Sequence, residues 1–177
     1  MLGTLKWGVI CVMQAWGHLS GASRSVELAT IGRRVCENEW DLLALLPGEP
    51  LVVHSPTQAA PAPTLHDRPH LSELVEAVRE WVDGDVREGT EGRLSFHARV
   101  ATTALRMVER ELAQGPGPAL AHAERLAGFS AADDRELAER IRSGELDDRA
   151  DDVRVAVAAS VQDKLLVANP RWLEPDQ

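Results

Sequence analysis

The residues best suited to chemistry are three arginines and a histidine that lie close together in the sequence, Arg99, Arg106, Arg110 and His97. Guanidinium groups bind phosphate oxygens through paired hydrogen bonds, so the arginines could line a pocket for an acyl-CoA or for the phosphate of a nucleotide. His97 could act as a general base or contact a ligand, because imidazole titrates near neutral pH. These four residues are therefore candidate ligand-binding residues.

Each of these residues also has a simpler interpretation. Glu109 and Glu111 stand among the arginines and would neutralise much of an anion pocket, so the arginines could form a solvated face. His97 lies on the apolar side of its predicted helix, where one hydrogen bond to a neighbouring helix would satisfy it. The sequence shows no serine, cysteine or aspartate partner for it, which favours the simpler interpretation.

Three residues near the carboxyl end are further candidates. Lys164 falls within an apolar stripe, where it could contact a ligand or extend its ammonium group to water or to a carboxylate such as Asp163. Trp172 follows Arg171 and could anchor a partner protein. Packing of this tryptophan back onto the body of the protein is the alternative that we favour, because terminal tryptophans commonly hold chain ends in place.

The arginines are positioned by a predicted helix over Phe96–Leu112. Its apolar residues recur every three or four positions, Ser95 is placed to cap its start, and the Gly-Pro-Gly-Pro sequence at 115–118 ends it. The sequence predicts four more helices from His70 onward, the first capped by Ser72 and the others starting near residues 118, 131 and 147. The loops between them are short, so we expect a five-helix bundle over residues 70–177.

The first 46 residues predict a helical hairpin. One helix is expected over Thr4–Leu19 and a second, capped by Ser25, until Pro47-Gly48. The hairpin has more apolar positions than it can bury by itself, and we expect Trp7, Trp16 and Trp40 to lie at an interface. Six prolines between residues 47 and 69 predict a semi-rigid linker from the hairpin to the bundle. The predicted fold is therefore all-α.

Composition limits the possible functions. The net charge is −9, which disfavours binding to nucleic acid or to an anionic membrane surface. Only two cysteines are present, which is typical of reduced thiols in a cytoplasmic protein. We find no cluster of His, Cys, Asp or Glu with metal-ligand spacing and no nucleophile motif, so we predict neither a metal site nor a cofactor, and no catalytic residue.

The first residues resemble a known family. The segments TLKWGVICVMQAWGHLSG, SRSVELATIGRRV and ENEWDLLALL are similar to the carboxyl-terminal tail of aminoglycoside-phosphotransferase-like kinases, in which they form the last helices of the helical lobe. That family carries out its chemistry with an H-G-D-x-x-x-x-N loop and a metal-binding aspartate motif. This chain has neither, so the resemblance does not bring kinase activity with it.

A second resemblance covers residues 70–173. The segments PHLSELVEAVREW, FHARVATTALRMVEREL, LAERIRSGELDD and KLLVANPRWL are similar to the bacterial domain of unknown function DUF6285. The resemblance implies an all-α domain found beside or fused to the phosphotransferase-like kinases, often near acyl-CoA dehydrogenases. It assigns no reaction and no site residues.

Three functions remain open on these grounds. The first is a non-catalytic accessory module that contacts a phosphotransferase-like kinase associated with acyl-CoA metabolism. The second is a helical domain that binds an acyl group or acyl-CoA between its helices, with arginines gripping phosphate. The third is a homodimeric structural module that buries the hairpin. The sequence leaves enzymatic activity undecided and favours a non-catalytic role.

Overall fold

The computed structural model describes residues 1–54 and 68–174, and within these ranges the fold is all-α, as predicted. The helices are α1 (Leu2–Leu19), α2 (Val26–Arg33), α3 (Val35–Ala44), α4 (Leu71–Trp81), α5 (Gly92–Gln114), α6 (Gly117–Ala127), α7 (Asp134–Arg142) and α8 (Ala150–Ala168). A π-helical turn follows α4, and 3-10 turns precede and follow α8. Helices α4 to α8 are the five predicted helices of the bundle.

Two of the predicted serine caps are wrong. Helix α4 begins at Leu71, and the carboxylate of Glu73 accepts a hydrogen bond from the backbone N–H of His70 at 2.6 Å. This arrangement makes His70 the capping residue and places Ser72 inside the helix. Helix α5 likewise begins before Ser95, whose hydroxyl donates to a backbone carbonyl of the preceding segment at 3.1 Å.

The second predicted helix of the hairpin is two helices. Ser25 caps α2 as expected, because its hydroxyl oxygen accepts hydrogen bonds from two backbone amides of the first turn. The helix then stops at Arg34, whose backbone leaves the helical conformation at φ −91° and ψ 5°. This break changes the chain direction, so that α2 packs against α5 while α3 packs against α8. Apolar periodicity alone could not show it.

Close packing of α1 on α2 depends on one glycine. A Cβ atom placed on Gly32 would lie 2.4 Å from the Cβ of Ala15, far inside van der Waals contact. The two small residues therefore let the helix backbones approach each other. Because the Ala15 methyl group has no rotamer to change, we infer that Gly32 is needed for the observed α1–α2 packing.

Helix α8 lies at the centre of the hydrophobic core. The main cluster joins α8 to α3 and α5, and Leu165 is completely buried within it. Its buried members are Cys36, Leu43, Met107, Ala158, Val161, Leu165, Val167 and Ala168. A second cluster joins the amino-terminal half of α8 to α6 and α7. The N-terminal helices thus share a core with the bundle helices.

The chain after α3 also follows α8. Arg154, which is buried, donates to the backbone carbonyls of Leu43 at 3.2 Å and Glu49 at 2.7 Å. Buried Gln162 accepts from the backbone N–H of His54 at 3.0 Å and donates to its carbonyl. The start of the predicted linker is therefore held on the bundle by side chains of α8, while residues 55–67 of that linker lie outside the described residues.

Both cysteines are buried, and the raised pKa of Cys36 makes the stability of the folded protein depend on pH. Burial, with Glu39 and Glu37 nearby, raises the pKa of Cys36 from 9.0 to about 12. The protonated thiol is favoured in the folded state, so its contribution to stability is complete below pH 9 and is lost as the pH rises toward 12. We expect the free energy of unfolding in urea to fall between pH 9 and pH 11, and Cys36→Ala to reduce that slope.

Thiol labelling provides an independent measurement of the same environment. Cys11 and Cys36 are each 2% exposed, and burial is the main reason that both pKa values are raised. We expect neither thiol to react with iodoacetamide at pH 8 in the native protein and both to react in urea. Rapid labelling of the native protein would contradict the buried positions.

Candidate functional site

Two of the predicted arginines line a cleft between α2, α5 and the end of α8. Arg106 and Arg110 lie one turn apart on α5, and they face Arg34 from the α2–α3 junction and Arg171 from the turn after α8. The cleft has a volume of about 830 Å³. Three separate parts of the chain therefore bring four guanidinium groups to one opening.

The remainder of the cleft is mixed, with apolar residues beside the polar residues Glu27, Thr30, Thr103 and Asn169. Its apolar lining residues are Ile31, Phe96, Val100, Met107, Ala168 and Pro170. Glu27 is the only acidic side chain that lines it within the described part of the chain. An apolar wall next to several guanidinium groups is a suitable environment for a molecule with an anionic end and an apolar part.

The four arginines differ in how far their charges are already balanced. Arg34 forms two short hydrogen bonds with the carboxylate of Glu37, at 2.7 and 3.0 Å. Arg106 approaches Asp83 at 3.4 Å. The Nε atom of Arg110 is buried, and within residues 1–54 and 68–174 it has no hydrogen-bond partner. Arg110 thus has a buried donor that no described group satisfies.

The two glutamates expected to neutralise these arginines point elsewhere. Glu109 accepts a hydrogen bond from Arg79 of α4 at 2.8 Å, and Glu111 accepts one from Arg33 of α2 at 2.7 Å. Adjacent residues of a helix project about 100° apart, so the neighbours of Arg110 bind helices on either side of it. Within the described residues, Glu109 and Glu111 therefore form ion pairs with Arg79 and Arg33 and not with Arg106 or Arg110.

The pKa of Arg110 reflects its buried position beside Arg106. Burial lowers the pKa of its guanidinium group, and the positive charge of Arg106 lowers it further, although Glu109 acts in the opposite direction. Two like charges four residues apart on a helix destabilise each other. A bound anion would offset this repulsion.

The other two candidates on α5 lie apart from the cleft. The guanidinium carbon of Arg99 lies 5.4 Å from the ring centroid of Phe96, and Arg99 itself is exposed. His97 packs edge-on against the same ring, with a centroid distance of 5.5 Å. Its Nδ1 atom is buried without a partner in the described residues. The structure therefore separates Arg99 and His97 from Arg106 and Arg110.

A second cavity, of about 400 Å³, lies between α3, α6, α7 and α8. At its edge, the Nδ1 atom of His122 lies 3.0 Å from the hydroxyl of Ser160, and its Nε2 atom lies 3.3 Å from Asp134. The order of these groups is that of a Ser-His-Asp triad. Arg125 donates to the same serine oxygen at 2.9 Å and to Asp163 at 2.6 Å.

The surroundings of Ser160 favour a structural network over a nucleophile. Its hydroxyl lies 3.2 Å from the carbonyl of Ala156 in the same helix, and its oxygen already accepts a hydrogen bond from Arg125. A nucleophilic serine needs a free lone pair that faces the substrate and a base that removes its proton. The network instead connects α6 with α8.

Lys164 also lines this second cavity, where an acid balances its charge. Its ammonium group lies 3.3 Å from Glu39 of α3, which agrees with the expectation that it extends to a carboxylate. Arg125 pairs with Asp163, so Arg125 and Lys164 in this cavity each have an acidic partner. The arginine cleft, with its unsatisfied Arg110, is the better anion site.

The residues that sequence reasoning missed come from distant parts of the chain. Arg34 and Arg171 lie more than 130 residues apart in sequence yet line the same cleft. His122 and Ser160 belong to different helices and have no motif spacing. The usable signal was the isolated pair Arg106 and Arg110, which marks one wall of the cleft but not its other sides.

The predicted interface residues are scattered. Trp7 and Trp16 are nine residues apart on α1 and therefore project from opposite faces, and both are more than half exposed. Trp40 packs against the main core cluster. Trp172 donates through its indole N–H to Asp41 of α3 at 3.0 Å, which ties the carboxyl end to the body, while Arg171 faces the cleft.

One face of α1 is apolar and exposed along its whole length. Its side chains recur every three or four residues and are between 52% and 81% exposed: Leu2, Leu5, Val9, Val12, Met13, Trp16 and Leu19. The opposite side of α1 contacts α2 and α3 and carries buried Gly8 and Cys11. No helix in the described ranges combines the length and the apolar character needed to cross a membrane.

Comparison with known proteins identifies one part of the chain. The family model described as "Domain of unknown function (DUF6285)" matches residues 88–172, so the match includes α5 to α8 and leaves out α1 to α4. No curated protein and no solved structure gives a match. The arginine pair on α5 and the turn with Arg171 both fall within the matched residues. Residues 88–172 are therefore similar to the domain of unknown function DUF6285.

Proposed function

We propose that this chain is a non-catalytic accessory module that binds another protein through the exposed face of α1, defined by the seven apolar residues given above. Each of these side chains is at least 52% exposed, and together they form one apolar surface along the helix. Monomeric proteins rarely expose a contiguous apolar patch above a few hundred Å². This face is the observation that carries the proposal.

The shape of the surface supports a helical partner. An 18-residue helix is about 27 Å long, and its apolar stripe carries no charged side chain. Such a stripe fits an apolar groove or a second helix on the partner.

The partner that we propose is an aminoglycoside-phosphotransferase-like kinase, with a role in acyl-CoA metabolism. The resemblance of residues 1–46 to the tail of such kinases supports it, because a tail of this kind would pack its apolar face on the helical lobe of a kinase. The chain would then regulate or stabilise that kinase by contact.

The test is coexpression of the full chain with the phosphotransferase-like kinase encoded nearest to it, followed by size-exclusion chromatography with light scattering. We expect a stable complex, and we expect Val9→Asp to abolish it because a carboxylate would be buried in an apolar contact. Leu120→Asp is the matched control. It introduces the same charge at an exposed leucine of α6 and should leave the complex intact.

Other results would contradict the proposal in distinguishable ways. A chain that elutes by itself as a dimer, and that Val9→Asp converts to a monomer, would show that α1 binds a second copy of the chain. Equal effects of Val9→Asp and Leu120→Asp on the complex would show that α1 has no specific role. A monomeric chain with no affinity for the kinase would remove the basis of the accessory role.

A further inference from the structure

We propose that the cleft between α2, α5 and the end of α8 binds a small molecule that carries a phosphate group attached to an apolar part. The cleft is a separate site from the exposed face of α1, so this inference goes beyond the accessory role and does not depend on it. Its basis is the arrangement of Arg106, Arg110 and Arg171 around an apolar wall.

The charges around the cleft favour the binding of an anion. The chain has 28 acidic and 19 basic residues, so surface arginines have a surplus of carboxylates available as partners. Two arginines, Arg110 and Arg171, still face the cleft without a described carboxylate partner, and Arg106 shares Asp83, at 3.4 Å, with Arg87. A positive cluster in an acidic protein attracts anions to this location.

The guanidinium groups of Arg110 and Arg106 supply hydrogen-bond donors for a phosphate group. Arg110 has a buried Nε–H without a described partner, and leaving a buried donor unsatisfied is costly. A guanidinium group presents several N–H donors in one plane, which match the oxygens of a phosphate group better than a single acceptor would. Arg106, one turn away, can contribute donors to the same group.

The apolar wall of the cleft favours a ligand with a hydrocarbon part. Phe96 and Val100 extend the cleft along α5 away from the arginines, and Ile31 closes it from α2. A bare phosphate ion would use the arginines and leave this wall in contact with water. A phosphate ester with a short hydrocarbon chain would use both, and its affinity would increase with the apolar area that it buries.

Isothermal titration calorimetry on the full chain tests the proposal with three probes: hexyl phosphate, inorganic phosphate and 1-hexanol. We expect hexyl phosphate to bind at least about tenfold more tightly than either of the others, because only it engages both parts of the cleft. Affinity should also fall as the salt concentration rises, since the arginines are partly exposed.

Variants of the arginines locate the binding. We expect Arg110→Gln to weaken hexyl phosphate at least about tenfold, the loss expected for one charge-assisted hydrogen bond. Arg171→Gln lies on an exposed turn and should weaken binding without affecting folding. Arg93→Gln removes the same charge from the exposed start of α5, outside the cleft, and should have little effect.

Two results would overturn the proposal. If Arg93→Gln and Arg110→Gln weakened binding equally, the effect would be one of overall charge and not of this cleft. If hexyl phosphate bound no more tightly than inorganic phosphate, the apolar wall would have no role. Val9→Asp serves as a further control, because a variant that loses the kinase complex should still bind hexyl phosphate with unchanged affinity.

Discussion

Leu165→Ala should be the most damaging single substitution in the described core. The side chain is 0% exposed and packs in the cluster where α3, α5 and α8 meet. Replacing a fully buried leucine by alanine costs about 2–5 kcal/mol, because apolar contacts are lost and a cavity remains. In a protein of this size, we expect a decrease in Tm of roughly 5–15 °C, measured by circular dichroism.

The matched control is Val155→Ala on the same helix. Val155 is 62% exposed, so its truncation should change the free energy of unfolding by less than about 0.5 kcal/mol. Helix propensity slightly favours the alanine at both positions and cannot explain a large loss. Equal effects of the two substitutions would mean that α8 is not the central helix of the core.

The sequence predicted the helices of the bundle well because each has its own stop signal. Gly115 ends α5 and Asn169-Pro170 ends α8, and both ends agree with the structure. The break at Arg34 has no comparable signal, since Gly32 lies inside α2 and no glycine or proline follows its last residue. It depends on the packing of α2 and α3 against different partners, which a linear pattern cannot contain.

In the candidate site, features that lie within one helix could be predicted from the sequence, whereas contacts between helices could not. Arg106 and Arg110 share a helix, so their spacing placed them on one face. Whether Glu109 neutralises them depends on Arg79, which belongs to another helix and captures that carboxylate. Charge compensation in a folded protein is decided by tertiary neighbours, and the sequence gives only the inventory of charges.

The exposed face of α1, by contrast, could be predicted from the sequence pattern. The sequence predicted that the hairpin needs a partner, and the apolar stripe of α1 remains exposed in the folded chain. Of the three tryptophans, Trp16 belongs to that surface, Trp7 projects from the opposite side of α1, and Trp40 packs against the core. The spacing of aliphatic residues along α1 defines the surface more accurately than residue size does.

Removal of the first 69 residues should have the second large effect on stability. The sequence predicts a separate bundle over residues 70–177, yet buried Cys36 and Leu43 of α3 complete the core around α8. A fragment starting at His70 would expose that part of the core to water. We expect it to bind the dye ANS, to lose its near-ultraviolet circular dichroism, and to unfold without a sharp transition.

Polar contacts across the same boundary strengthen this expectation. Asn169 donates to Glu37 at 2.9 Å, and Trp172 donates to Asp41, so α3 also holds the carboxyl-terminal turn. Adding residues 1–54 as a separate peptide should restore a cooperative transition, because the missing core side chains would return. A fragment that unfolds cooperatively at the Tm of the full chain would instead establish residues 70–177 as an independent domain. Helices α4 to α8 would then fold by themselves, and the contacts of α2 and α3 would be an interface between two stable units.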